Sequence, residues 1–353
     1  MTLLDDTIAG IEPLDQPAMA DARARQDRLT KPAGSLGRLE ALAVQLAGIT
    51  SAPVPRVDER AIVVMAGDHG IAQRGVSAYP SEVTGQMVDN FLAGGAAINA
   101  LGRLQRARLL VVDMGIGEPR PAHAGLASAR LGPGTRDFST EPAMTRSQAI
   151  DGIETGIAIA TGLAADGVQL VVPGEMGIGN STSAAAIVAA LTGRPAADVT
   201  GRGTGVDDAG LSRKRAVIDA ALALHRPDPG DPIGVLAAVG GFEIAGIVGL
   251  LLGAARTRTV TVLDGFIVGA AALLAVGLAP ALRGHLIAGH RSAEPGHAII
   301  LETLGLSPLL DLDLRLGEGS GAAVALGIID AAVRTHAEMA TFEEAAVSGP
   351  GGT

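Results

Sequence analysis

The sequence predicts an α/β protein: a Rossmann-like parallel sheet flanked by helices, with a smaller helical lobe built from both chain ends. Three observations predict it. Short apolar runs rich in Val and Ile recur along the chain, each closed by glycine and a polar residue. Ala/Leu-rich stretches of helical character lie between most of them, and strands alternating with helices give a parallel sheet covered on both faces. The composition suits such packing. Of 353 residues, 48% are hydrophobic, 18% charged and only 2% aromatic, with 49 glycines. That describes layers of small aliphatic side chains joined by tight turns.

Taken in order, residues 1–57 read as mostly helical and end in Ala52-Pro53-Val54-Pro55. The first strand is 61–66, before Gly67-Asp68-His69. A helical pattern over 82–104 leads to a second strand, 109–112, before Asp113-Met114-Gly115. Another helix, 150–165, precedes a strand at 168–172 that stops at Pro173-Gly174-Glu175. The fourth strand, 259–263, precedes Asp264-Gly265, and a shorter fifth, 285–288, precedes Gly289-His290-Arg291. Between these two lies the longest uncharged stretch, 265–282. It barely approaches the ~30 Å bilayer core, and Gly269, Gly277 and Pro280 interrupt it, so it reads as a buried helix. After 292 the chain returns to helices around the alternation Leu310-Asp311-Leu312-Asp313-Leu314-Arg315-Leu316. The expected division is a core at 58–291 and a lobe at 1–57 with 292–353. The tail Ser348-Gly349-Pro350-Gly351-Gly352-Thr353 is expected to fray.

Composition also excludes functions. A net charge of −10 argues against a general nucleic-acid binder, which needs a basic face. With no cysteine there are no disulfides, zinc-thiolate sites or thiol chemistry. The first residues carry Asp5 and Asp6 and no basic segment, unlike a secretory signal. Both features fit a cytoplasmic protein. His69, His290 and His297 sit in separate loops without ligand spacing, so no metal is expected.

In an open parallel sheet, ligands bind beyond the carboxyl ends of the strands. Those ends carry Asp68, His69, Asp113, Glu175, Asp264, His290 and Arg291, too many for helix capping alone to explain. Gly174-Glu175-Met176-Gly177-Ile178-Gly179-Asn180-Ser181-Thr182-Ser183 leads from a strand into an Ala-rich helix. Free N–H groups and hydroxyls there suit a phosphate. The segment lacks the Gly-Lys-Ser/Thr ending of a P-loop, so ATP hydrolysis is not indicated. Gly201-Arg202-Gly203-Thr204-Gly205 is a second glycine-rich turn, with Lys214 placed to reach the same anion. Asp68-His69-Gly70 leads through Ser77 and Tyr79 to Gln86, a mobile Gly/Pro loop that reads as a pocket wall. Gly317-Glu318-Gly319-Ser320-Gly321 leaves one carboxylate alone among glycines at the junction of an apolar element and a helix. Such a glutamate could carry a raised pKa and serve as a general base. Gly317-x-Gly319-x-x-Ala322 also has the form of a dinucleotide fingerprint, but it lies too late to open a first βαβ unit, which disfavours an oxidoreductase.

Together these segments resemble one family. Arg28-Leu29-Thr30-Lys31-Pro32-Ala33-Gly34-Ser35-Leu36-Gly37-Arg38-Leu39-Glu40 is similar to its N-terminal signature. Gly67-Asp68-His69-Gly70, residues 174–183, Gly240-Gly241-Phe242-Glu243-Ile244-Ala245, Ala288-Gly289-His290-Arg291-Ser292 and residues 316–321 continue it in order. The family is nicotinate-nucleotide–dimethylbenzimidazole phosphoribosyltransferase, and the resemblance spans essentially the whole chain. It implies an α/β core with a helical lobe, a homodimer, and no cofactor. It also implies the reaction of nicotinate mononucleotide with 5,6-dimethylbenzimidazole to give nicotinate and α-ribazole 5′-phosphate, which supplies the lower ligand of cobalamin. Glu318 matches the family's catalytic base, Glu175 an acid of the nucleotide site, and Lys214 a lysine near the nucleotide. Gln86, Ser77 and Tyr79 correspond to the benzimidazole pocket wall, and Leu316 would line the slot for the flat base. Gly177, Gly179, Asn180, Ser181, Thr182 and Gly203 would surround the phosphate, with His290 and Arg291 nearby. The pyridinium of the substrate is already a good leaving group, so the chemistry requires no Mg²⁺.

Overall fold

The computed structural model describes residues 2–349. Pro350, Gly351, Gly352 and Thr353 of the expected frayed tail lie outside the described residues. The chain runs α1 (Leu3–Ala9), α2 (Gln16–Arg28), α3 (Arg38–Thr50), β1 (Arg60–Gly67), α4 (Glu82–Ala93), α5 (Ala97–Leu104), β2 (Arg108–Gly115) and β3 (Leu126–Ser128). It continues through α6 (Arg146–Ala165), β4 (Leu170–Met176), α7 (Asn180–Thr192), α8 (Ala196–Val199), α9 (Asp208–His225), α10 (Pro232–Val239) and α11 (Phe242–Arg256). Then come β5 (Val260–Leu263), α12 (Phe266–Leu278), β6 (Leu286–Ala288), β7 (His290–Arg291), α13 (Pro295–Leu304), β8 (Leu310–Asp311) and α14 (Ser320–Glu338).

Six strands form one parallel sheet in the order β3-β2-β1-β4-β5-β6, and β7 pairs with β8 in a parallel ribbon. All five strands read from the sequence are present; β3 is added at one edge. The alternation of side chains sorts the central strands into two cores. Ala61, Val63 and Met65 of β1 face α6, α11 and α12, whereas Ile62, Val64 and Ala66 face α3, α4, α5 and α14. Both faces are therefore apolar, which is why the strand sequences read as continuous Val/Ile runs.

The scarcity of aromatic residues has a structural counterpart in α6 and α11. A Cβ added at Gly156 would overlap the Gly246 carbonyl, and one at Gly249 would overlap the Ile153 carbonyl. The two helices thus touch backbone to backbone, and α11 is buried along nearly its whole length. The uncharged stretch after β5 is α12, also buried, and no helix among the described residues is long and apolar enough to cross a membrane.

The pattern read as one helix over 82–104 is two. Gly94, at φ 80°, ends α4 in the left-handed conformation that favours glycine. The chain ends meet at an isolated antiparallel bridge, Leu29 to Thr341, reinforced by Arg25 donating to the His336 and Ala337 carbonyls at the end of α14. The α14 helix lies against the sheet: Ala322, Leu326 and Ile329 share a core with Val64, Val172 and Val262.

Candidate functional site

The strand order reverses between β1 and β4, the switch point at which open α/β sheets form ligand crevices. A cleft of about 740 Å³ opens there and extends across the ends of β5 and β7. Its lining includes Glu175, Gly177, Asn180, Ser181, Gly203, Tyr79, His290, Leu316 and Glu318 from the sequence reading.

Acids occupy its middle. Asp264, at the end of β5, accepts N–H bonds from Gly319 (3.2 Å), Gly321 (2.8 Å) and Ala322 (3.1 Å), tying the start of α14 to the sheet. His290 Nε2 lies 3.4 Å from the same carboxylate. Just before the helix, Gly317, Glu318 and Gly319 all have positive φ, of 88°, 64° and 86°. Two of them are glycines, which take this conformation freely; Glu318 is not, and holding it there costs about 1 kcal/mol or more. Gly174 lets the turn approach: a Cβ on it would overlap the Glu318 carbonyl.

Glu318 is 5% exposed and accepts the Ile98 N–H at 3.4 Å. Burial pushes its pKa up, the Ile98 N–H opposes this, and Asp264 reinforces it. Burial raises Glu175 further, to about 8, against the Asn180 amide and the Glu318 N–H; Asp264 and Glu243 add to the rise. Burial thus shifts both carboxyls of the cleft upward, Glu175 to about 8.

The turn from β4 into α7 forms one end. Ile178 N–H donates to Thr84 Oγ1 (3.1 Å), Asn180 N–H to the Gly177 carbonyl and Thr182 N–H to the Gly179 carbonyl. The Ser181 N–H is left over for an anion at this helix start, a narrower cradle than the sequence suggested. Lys214 is 1% exposed and does not line the cleft. It donates to Ser181 Oγ (2.8 Å) and the Gly201 carbonyl (3.4 Å). Burial depresses its pKa to about 8, partly offset by Glu294. Because an ammonium only donates, Ser181 Oγ must accept from it, and the serine proton is free to point elsewhere. Glu294 Oε1 accepts the Gly203 N–H at 2.9 Å, fixing the second glycine-rich turn.

The other end is apolar: Val83 and Met87 from α4 meet Met176, Leu314 and Leu316 across the cleft, beside Tyr79. Val83 and Met87 are four residues apart on one helix face, which leaves Gln86 exposed on another. Ser77 lies just outside, its hydroxyl 3.0 Å from that of Thr204, so it joins two loops at the rim. Arg291 pairs with Asp311 at 3.2 Å, and Thr182 is fully buried behind the turn. Gly179, at φ 99°, shapes that turn without lining the cleft. Ring burial lowers His297 to about 4, and its Nδ1 accepts the Ser292 N–H at 2.8 Å.

Sequence reasoning named Asp264 only as a strand-end acid and passed over Glu294, Val83 and Met87. The signal for Asp264 was present in its place after a strand. Glu294 follows Ser292 by two residues and carried no pattern of its own.

A sheet-end cleft with a helix-start N–H group at one end, acids in the middle and an apolar slot at the other suits a group transferase acting on a phosphorylated substrate. Residues 11–347 match the family model described as phosphoribosyltransferase. The chain is 60% identical over 349 residues to the nicotinate-nucleotide–dimethylbenzimidazole phosphoribosyltransferase of Roseiflexus sp. (strain RS-1), covering 99% of each. It is 52% identical over 348 residues to that of Desulforudis audaxviator, again covering 99% of each. A crystal structure of the Thermus thermophilus enzyme of that name superposes with a TM-score of 0.90 at 47% identity, covering 96% of this chain and 100% of the other. A structure described as CobT from the same organism gives 0.91 at 49%, covering 95% and 100%. The chain belongs to the nicotinate-nucleotide–dimethylbenzimidazole phosphoribosyltransferase family.

Proposed function

We propose that this protein transfers the 5-phosphoribosyl group of nicotinate mononucleotide to 5,6-dimethylbenzimidazole. A ring nitrogen of the base attacks C1′ as the C1′–N bond to nicotinate breaks, with inversion, and the bonding pair leaves with nicotinate. The product ring is cationic until its other N–H gives up its proton, which Glu318 accepts. The observation that carries this reading is the setting of Glu318: a buried carboxylate on a left-handed turn, between the apolar slot and the α7 start. A base held there contributes typically ~10²–10⁴-fold.

The phosphate sits at the Ser181 N–H group, with the Ser181 hydroxyl donating and Lys214 acting from behind it. The benzimidazole lies among Val83, Met87, Leu314 and Leu316, with Tyr79 at the rim. Neighbouring carboxylates suit the positive charge that develops at C1′. Gln86, Ser77, Thr182, Arg291 and His290 then shape the surroundings and make no chemical step.

Incubation of purified protein with both substrates tests the reading by chromatography and mass. α-Ribazole 5′-phosphate with stoichiometric nicotinate is expected; unchanged substrates would refute the transfer. The product fits the lower ligand of cobalamin. Segments 1–57 and 292–353 are proposed to act as one lobe carrying Glu318. Limited proteolysis should spare the joined ends, and independent release of either would end that proposal. A cytoplasmic homodimer completes the reading; a monomer in sedimentation equilibrium, or recovery in a membrane fraction, would refute the corresponding part.

A further inference from the structure

A buried cluster behind the cleft belongs to no step above. His69, at the end of β1, makes a 2.6 Å contact from Nε2 to Glu243 Oε1 and a 3.0 Å contact from Nδ1 to Ser183 Oγ. Both side chains of the His69–Glu243 pair are fully shielded from solvent. Ser183 lies in the first turn of α7 and also donates to the Gly240 carbonyl at 3.3 Å. Glycines surround the ring. A Cβ at Gly177 would lie 3.2 Å from Cδ2 and Nε2, one at Gly179 3.3 Å from His69 Cβ, and one at Gly241 would overlap Cε1. Three elements thus meet on one imidazole, and two of the three glycines belong to the β4–α7 turn.

A buried carboxylate and imidazole are costly to desolvate and are tolerated when geometry repays them. Neither ring nitrogen faces the cleft, since each is engaged by a buried partner. The ring can therefore act on a ligand only through the turn packed against it.

We propose that His69 is a positioning residue for the phosphate end of the cleft: clamped between Glu243 and Ser183, it holds the β4–α7 turn so that the Ser181 N–H and hydroxyl face the nucleotide phosphate. This rests on the phosphate location proposed above. Ser183 sets the rotation of the first turn of α7, Glu243 sets the ring, and the glycines let the turn sit directly on it.

The test is equilibrium binding of nicotinate mononucleotide and of phosphate-free nicotinate riboside to wild type, His69→Asn, Ser183→Ala and Glu243→Gln. His69→Asn and Ser183→Ala should each weaken the mononucleotide by about tenfold, the worth of one buried hydrogen bond, and leave the riboside unchanged. Glu243→Gln, which keeps a hydrogen-bonding partner for the ring, should stay within about threefold of wild type. General loosening of the fold would instead weaken both ligands alike, and that result overturns the proposal, as does unchanged mononucleotide affinity in Ser183→Ala. If His69→Asn does not fold, Ser183→Ala decides alone. Wild type that binds the mononucleotide but makes no product would refute the transfer and leave this test intact.

Discussion

Replacing Lys214 by Met asks whether a buried cation serves the cleft through a hydroxyl. An acceptor oxygen bonded to Ser181 Oγ would lie roughly 5 Å from Lys214 Nζ, by adding two hydrogen-bond lengths at a bent angle. Unit charges at that separation interact by about 3 kcal/mol at an effective dielectric of about 20. Losing half to all of this weakens nicotinate mononucleotide by roughly 10- to 150-fold. The fold should not suffer. A lysine held at about 8 in the native state is destabilising below that pH and recovers only as pH rises towards 10.5, so Met removes a penalty at pH 7. Calorimetric titration of wild type, Lys214→Met, Ser181→Ala and the double variant reads the coupling. The Lys214→Met loss should shrink markedly in the Ser181→Ala background. Independent, multiplying losses would show that Lys214 acts without Ser181 and refute the relay. Wild-type affinity should also fall as pH rises through about 8, where both Lys214 and Glu175 lose a proton, while Lys214→Met in a Glu175→Gln background shows no such limb.

Glu318→Gln should lower turnover by about 10²–10⁴-fold with nucleotide affinity nearly unchanged, measured by product formation and titration; near-wild-type turnover would remove Glu318 from the base role. Glu175, raised to about 8, is mostly protonated at pH 7, so Glu175→Gln should keep most of the turnover there. Its stability curve carries a second signature. The raised carboxyl stabilises the native state below the unfolded value of about 4.3 and that contribution is lost as pH rises through 8; Gln should flatten this slope in denaturant melts. An unchanged slope would count against the buried acid.

The sheet was legible because its central strands are apolar on both faces, a pattern that solvent-facing segments do not share. β3 was not, since Leu126-Ala127-Ser128 is short and lies at an edge. The apolar run that marks β4 ends at Val172, before Pro173-Gly174-Glu175, yet Pro173 pairs with Val63 in mid-sheet, where proline is uncommon, and the strand runs on to Met176. The alternation 310–316 looks like a strand, but pairing ends at Asp311 and Asp313 is left-handed at φ 55°. Strand-end placement located the cleft. It could not tell which side of α4 faces inward, so Gln86 was named where Val83 and Met87 stand. Nor could it show that Lys214 reaches only as far as Ser181, a matter of side-chain depth that spacing does not encode.

The α14 helix binds the making of this molecule to its working. The helix whose start carries Glu318 also supplies Ala322, Leu326 and Ile329 to the core over β1, β4 and β5. A nascent chain that has emerged only as far as α13 has its six-stranded sheet and its β4–α7 turn but leaves Val64, Val172 and Val262 without the α14 part of their cover. Such a chain cannot settle into a stable nucleotide binder that lacks the base, because the segment that would make it catalytic is the one that lets it finish folding. Covering of the sheet by α14 and arrival of the base are a single event.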